Sequence, residues 1–186
     1  QYKSTPYRVG PSSGNGVGVT LTMVEMFYSK NGLPIDLDPE YDYTGRYRYG
    51  EYHNDVCDGV TMNLNIDREP RFYVSVFFGD NWWHHGSGMT KISFAKGANS
   101  NKSHDYPKSG YLVNRFYDHT LNSASGQWGN IVFPTFRLAE MYLNFIEAVL
   151  ECKRHNVAMP GGYEAQAMEV WADLRDRAGL APITEV

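Results

Sequence analysis

Four side chains able to grip a ligand stand side by side in "GDNWWHHGSG", residues 79 to 88: Trp82, Trp83, His84 and His85. An indole offers a flat apolar face and an N–H donor, and a neutral imidazole both donates and accepts hydrogen bonds. Glycine-bounded stretches usually carry small polar residues, so this one reads as a turn built to touch something. Neighbouring residues of an extended chain point to opposite sides. One indole is therefore expected to plug the end of a sheet and the other to be exposed. An exposed indole matches the apolar C–H face of a sugar ring, and a stack burying roughly 80 Å² is worth on the order of 2 kcal/mol at about 25 cal/mol per Å². Two stacks and a few hydrogen bonds would leave ~4–6 kcal/mol net, a millimolar to high-micromolar affinity that suits capture. Stacking is assigned to Trp82 or Trp83, and a polar contact to His84. Adjacent histidines rarely converge on one ion, and no Cys–His or H-x₃-H spacing supports zinc, so no metal is expected there.

A second aromatic run, "YTGRYRYGEYH", interleaves Tyr43, Tyr47, Tyr49 and Tyr52 with Arg46 and Arg48. Basic–aromatic alternation can bind nucleic acid, but acidic neighbours surround this run. The net charge of −4 and the lack of a Lys/Arg cluster argue against nucleic acid and anionic membrane surfaces alike. Tyr47, Tyr49 and Tyr52 are expected to form a second edge of a glycan or peptide site, in equal competition with a loop packed by its own tyrosines. "DLDPEYD" (Asp36, Asp38, Glu40, Asp42) resembles half of a calcium loop but lacks its glycine and distal glutamate. A solvated acidic turn is preferred there, with a structural calcium ion as the alternative; no cofactor is otherwise expected.

For catalysis the sequence offers little. It has no G-x-S-x-G, no H-E-x-x-H and no cysteine in a nucleophile setting. Asp80 and Asp105 could be paired by folding as glycoside hydrolysis requires, yet nothing favours that. Cys57 and Cys152 are expected as two free thiols, ahead of a disulfide.

These groups need elements to hold them. Residues 1 to 20 are Gly-, Pro- and Ser-rich and read as loop. A short helix is expected through Met23 to Phe27, closed by the Asn31-Gly32 turn. Residues 36 to 66 show little periodicity and read as a long structured loop. "REPRFYVSVFFG" is the clearest strand, with Phe72, Val74, Val76 and Phe78 on one face and Tyr73, Ser75 and Phe77 on the other. "SGYLVNRFYD" reads as a second, shorter strand. The last third is helical. Leu138, Met141, Tyr142, Phe145, Val149 and Cys152 make one apolar stripe. Past the Pro160-Gly161-Gly162 break, Ala167, Met168, Trp171, Leu174 and Ala178 make another, stopped at Gly179. Such a pair has the size of a tetratricopeptide repeat, and a lone pair cannot bury both faces. No stretch approaches the roughly 18 apolar residues of a membrane span. Because Gln1 is not a natural start and the helices lack partners, the chain is expected to be a piece of a longer one.

"REPRFYVSVFFGDNWW", "SGYLVNRFYD", "PTFRLAEMYLNFIEAVLE" and "LRDRAGL" follow one another in an order that resembles the SusD/RagB family of Bacteroidetes outer-membrane lipoproteins, over roughly residues 20 to 181. "MVEMFYSKNGLPI" is similar to the family segment ahead of them. Glu69 stands where the family usually has Asp, and Ile146 and Val149 where it favours small or polar residues. The resemblance implies a mainly α fold with irregular loops, a small β element and a tetratricopeptide-like helix pair. On that reading residues 1–186 are part of one larger SusD-like domain, with a loop-rich ligand face over 20–132 and the helix pair over 133–180. It implies a non-enzymatic, lipid-anchored protein of the cell surface that binds oligosaccharides and delivers them to a SusC-type TonB-dependent transporter. Its lipid anchor would be absent from this chain. A peptide ligand is the alternative within the family, and a glycoside hydrolase a more distant one. Phe136, Arg137, Glu140 and Asn144 match the family's helix motif and are assigned to scaffold, with Arg137 and Glu140 close enough to pair.

Overall fold

The computed structural model describes residues 17–85, 88–95, 107–115, 118, 120 and 134–181. The chain divides into two compact units, Gln1–Val132 and Phe133–Val186.

In the first unit, helix α1 (Leu21–Met26) begins where the Thr20 hydroxyl accepts the Met23 N–H, satisfying one of the donors a first turn leaves open. The chain reverses at Asn31-Gly32, with Gly32 at φ 73°. The carbonyls at the other end of α1 are met by a buried cation. The Arg68 guanidinium donates to the carbonyl oxygens of Val24, Phe27 and Tyr28, and also to that of Leu64. Arg68 is only 2% exposed, and its guanidinium lies 5.0 Å from the centre of the Phe72 ring. Burial lowers its pKa, but four carbonyl dipoles replace the lost water. One arginine thus joins α1 to a 3₁₀ turn (Asn63–Asn65) far along the chain. Its neighbour Glu69, also buried, accepts the Tyr28 N–H on one oxygen and Arg71 Nε on the other.

The reading of residues 36–66 as one long loop misses a hairpin. Strands β1 (Tyr49–His53) and β2 (Asp58–Met62) pair antiparallel, with Tyr49 opposite Met62 and His53 opposite Asp58. Every residue of β1 is at least partly exposed, so no apolar alternation announces the strand. Asn54 closes the hairpin by accepting the N–H groups of Val56 and Cys57.

"REPRFYVSVFFG" is also not a continuous strand. Pro70–Tyr73 forms a helical turn, α2, ahead of the short strand β3 (Val76–Phe77). Proline at the first helical position supplies the helical φ and gives up an N–H that would go unbonded anyway. Phe72, Val76 and Phe78 are buried as expected, but Val74 turns out to solvent at 58% exposure. Phe77, expected on the outer face, is buried as well, because β3 lies between two apolar clusters. Val76 and Phe78 pack with Val24, Ile35, Cys57, Leu64, Phe72 and Tyr111, whereas Phe77 packs with Trp83, Ile92 and Leu112.

The stretch read as a turn, WWHH, is strand β4 (Trp82–His85), paired antiparallel with β5 (Gly88–Lys91). The shorter strand expected in "SGYLVNRFYD" is β6 (Leu112–Val113), which pairs with β3. Both cysteines are free thiols. Burial raises the Cys57 thiol to a pKa of about 11.

The second unit is a helix pair, α3 (Leu138–Arg154) and α4 (Tyr163–Arg177). Both helices close in the same way. At α4, Gly179 at φ 70° donates to Asp176 O and Leu180 donates to Arg175 O, with Leu180 buried. At α3, Asn156 at φ 54° donates to Lys153 O and Val157 to Cys152 O. These are paired left-handed caps that satisfy the last carbonyls. Ile146, Val149 and Ala167 form the buried seam, with Phe145, Val170, Trp171 and Leu174 packed around it. The expected stripe of α3 is only half covered: Leu138 and Met141 are 63% and 56% exposed, because the seam draws only on the later turns of α3. Arg137 and Glu140 meet through the backbone, Glu140 N–H donating to Arg137 O. Among the described residues the fold is mainly α in its longest elements, with three two-stranded sheets as its small β component.

Candidate ligand pocket

A pocket of about 350 Å³ in the first unit gathers aromatic and charged groups between the β1–β2 hairpin, the start of β4 and the turn before β6. That volume is at the small end of the roughly 300–1,000 Å³ of small-ligand sites. Tyr49, Phe94 and Tyr111 supply aromatic surface to its wall. Its floor is a chain of buried hydrogen bonds: Tyr111 Oη donates to Asn65 Oδ1 at 2.9 Å, and Asn65 Nδ2 donates to Thr61 Oγ1 at 2.8 Å. Burial drives the Tyr111 phenol well above its ordinary pKa. The floor is thus neutral and internally satisfied, so it can hold a shape without competing for ligand hydrogen bonds.

Asp80 is the charged residue of the lining. Its backbone is held from both sides: Asp80 N–H donates to Ile92 O at 2.9 Å, and Asp80 O accepts from Asp58 N–H at 3.0 Å. It sits at φ 63°, in the left-handed region, a conformation that costs a non-glycine residue of order 1 kcal/mol and persists only where the surroundings enforce it. Gly59, at φ 143°, lies under the side chain, and a Cβ there would come within 2.8 Å of the Asp80 carboxylate. Lys91 Nζ donates to Asp58 O at 2.8 Å and lies 3.7 Å from the Asp58 carboxylate and 3.9 Å from that of Asp80. Beyond Asp58, His53 bonds the Asp58 carboxylate through Nδ1 and lies 3.4 Å from Glu51 through Nε2. The Asp58 hydrogen bond, then that of Glu51, raises the His53 pKa, while the His53 hydrogen bond lowers that of Asp58.

The residues singled out in the sequence fall in different places. Trp83 is fully buried in the Phe77 cluster, so of the two indoles it is the one that plugs the sheet, and a stacking role for Trp83 is set aside. Trp82 is half-buried and His84 exposed. By register they share one face of the hairpin with Lys91 and Met89. His85 contributes its backbone to β4, and its side chain lies outside the described residues, as does Asp105. Tyr49, 70% exposed, stands at the pocket rim. Tyr47 and Tyr52 are anchored elsewhere. Tyr47 donates to Glu25 and lies against the Arg46 guanidinium at 4.3 Å, with Tyr43 on the same cation at 3.9 Å. Tyr52 donates to Asn63 Oδ1 at 2.7 Å and packs on the core. The acidic "DLDPEYD" turn folds onto an amide: Asp38, which is buried, and Glu40 both accept from Asn31 Nδ2. Phe94, Thr61 and Tyr111 were not foreseen as pocket residues. Of these only Tyr111 carried a signal, as part of the "SGY" strand.

Among the described residues the pocket presents one carboxylate, whereas glycosidic hydrolysis uses two, roughly 5–10 Å apart. The described lining offers aromatic walls, a neutral floor and one carboxylate whose backbone is held from both sides.

The comparisons agree with this architecture. BT4246 in its solved structure superimposes with a TM-score of 0.74 at 23% identity, covering 99% of this chain and 32% of that one. Its selenomethionine form gives 0.67 at 24% identity, with 99% and 33% covered. The chain therefore spans about a third of the length of the solved proteins it matches, and at these identities the likeness is one of fold. No curated protein sequence matches it. The model of the SusD family matches residues 1–186, the whole sequence, and with that match the chain belongs to the SusD family.

Proposed function

We propose that this chain is the ligand-gripping part of a cell-surface glycan-binding protein, lipid-anchored in the outer membrane, that hands oligosaccharides to a SusC-type TonB-dependent transporter. Membership of a family of generally non-catalytic nutrient-binding proteins supports the class. The observation that carries the ligand is the pocket itself, where the exposed Tyr49 and the half-buried Phe94 flank a fixed carboxylate over a neutral floor. Sugars present the matching chemistry: apolar C–H faces for rings and vicinal hydroxyls that donate to a carboxylate. No described helix is long and apolar enough to cross a membrane. Trp82 and His84, on the Lys91 face of the β4–β5 hairpin, extend the contact surface. The site is read as working without a metal or cofactor.

Titration of the full-length protein with a panel of oligosaccharides, followed by intrinsic tryptophan fluorescence and by calorimetry, tests this. A saturable signal for one glycan class, weakened at least about tenfold in Tyr49→Ala or Trp82→Ala, is the expected result. Binding of peptides and of no sugar would replace the ligand class. Sugar binding untouched by both substitutions would move the site elsewhere.

A further inference from the structure

Asp80 is the point where the pocket departs from what folding alone asks of it. A loop residue joining β3 to β4 could be glycine or asparagine with less backbone strain, yet an aspartate is held there at φ 63°. Two hairpins clamp its backbone through Ile92 O and Asp58 N. The facing position is Gly59, whose missing Cβ leaves the space that the carboxylate fills. Strain of this kind, enforced from both sides at the wall of a cavity, is found more often at ligand-contacting positions than elsewhere.

The charge around it is unbalanced. Lys91 stands beside Asp80 but shares its ammonium with Asp58, to which it is closer, and donates to the Asp58 carbonyl. The three groups together carry one net negative charge, and the rest of the lining is neutral among the described residues. A ligand entering between Tyr49 and Phe94 meets that field in a partly desolvated space, where a unit charge a few ångströms away counts for much more than in bulk water.

Resting on the glycan reading above, we propose that Asp80 is the specificity-determining residue of this pocket. It accepts hydroxyl donors of uncharged sugar units and rejects units bearing a carboxylate or sulfate, and Gly59 acts as the seat that positions it. Uncharged units satisfy the carboxylate with their own donors; acidic units bring a like charge, and the cation that stands beside Asp80 among the described residues, Lys91, is already shared with Asp58.

The test uses the full-length protein and a panel of neutral glucose, mannose and galactose hexaoses. Each is paired with the same hexaose oxidised to uronate at C6, and binding is measured calorimetrically at low and at high salt. The parent protein is expected to bind at least one neutral hexaose and to bind its oxidised partner about tenfold or more weakly, with the gap narrowing at high salt as screening predicts. Asp80→Asn keeps a side chain that tolerates the left-handed backbone, so it should melt no lower than the parent. It should also bring the two affinities within about threefold and remove the salt dependence of their ratio. Gly59→Ala, which keeps the carboxylate but pushes it aside and strains a backbone at φ 143°, should weaken neutral binding without abolishing the discrimination. Equal binding of both members of a pair by the parent, or an unchanged ratio in Asp80→Asn, overturns the assignment while leaving glycan capture intact. If no hexaose of either kind binds, the glycan reading fails and this inference falls with it.

Discussion

Trp82 and Trp83 are neighbours in sequence, yet opposite roles follow from their burial. Trp83 fills the Phe77–Ile92–Leu112 cluster, so Trp83→Ala should cost about 3–5 kcal/mol by leaving a cavity. Trp82→Ala should cost only about 1–2 kcal/mol, since half-buried area is at stake. Chemical denaturation of the two variants checks this, and equal losses would mean that both indoles belong to the core. Arg68 is a second residue whose effect outruns its size. Arg68→Met keeps bulk against Phe72 but strands the carbonyls of Val24, Phe27 and Leu64, while that of Tyr28 keeps the Glu69 N–H. With each unmet buried acceptor worth about 1–3 kcal/mol, a loss of at least about 3 kcal/mol is expected. A denaturation midpoint close to the parent's would show that water reaches those carbonyls. Neither role was visible residue by residue: an arginine in "DREPRF" looks like any surface charge until the carbonyls it meets have been brought to it.

At the scale of elements, the β1–β2 hairpin carries an exposed charge pair whose sign can be followed with pH. The His53 pKa is raised by Asp58 and Glu51, with Lys91 the nearby cation on the same carboxylate. Its contribution is therefore fully present below the ordinary 6.5 and lost as pH rises through the raised folded value. The Asp58 pKa is lowered, so its contribution is present above the ordinary carboxyl value and lost as pH falls through the lowered one. Between those limits the hairpin is held best. The melting difference between parent and His53→Gln should be present near about pH 6 and fade by about pH 9; an NMR titration of His53 below its ordinary value would contradict it. The element ends were the most legible part of the sequence. Gly179 was expected to stop α4 and does, because a left-handed cap is a local requirement met within a few residues. The strand expected through Phe72 failed for a related reason: Pro70 suits the first turn of a helix as well as an extended entry, and only the Arg68 and Glu69 contacts decided between them.

For the whole molecule, the two cysteines report on the two compact units separately. Cys57 is buried, with its thiol raised to about pKa 11, whereas Cys152 is half-buried on α3. A thiol reagent should label Cys152 first, and Cys57 only as fast as the first unit opens; mass-spectrometric mapping of rapid labelling at Cys57 in the native protein would refute that packing. Such an experiment matters because the chain corresponds to about a third of the solved proteins it resembles, and exposed apolar residues such as Leu138 and Met141 remain on the helix pair. By itself the sequence determined what depends on near neighbours: the helix pair and the Gly179 cap, the seam around Val149 and Ala167, the opposed facing of adjacent indoles, and through its motifs the family. Tertiary structure alone decided which indole is buried, that Tyr47 meets Glu25 and Tyr52 meets Asn63 while Tyr49 lines the pocket, and that Asp80 shares a cavity with Phe94 and Tyr111. The physical reason is that facing and capping are set by backbone geometry over a few residues. A pocket is set by which distant segments pack together, and no local pattern in those segments encodes their meeting.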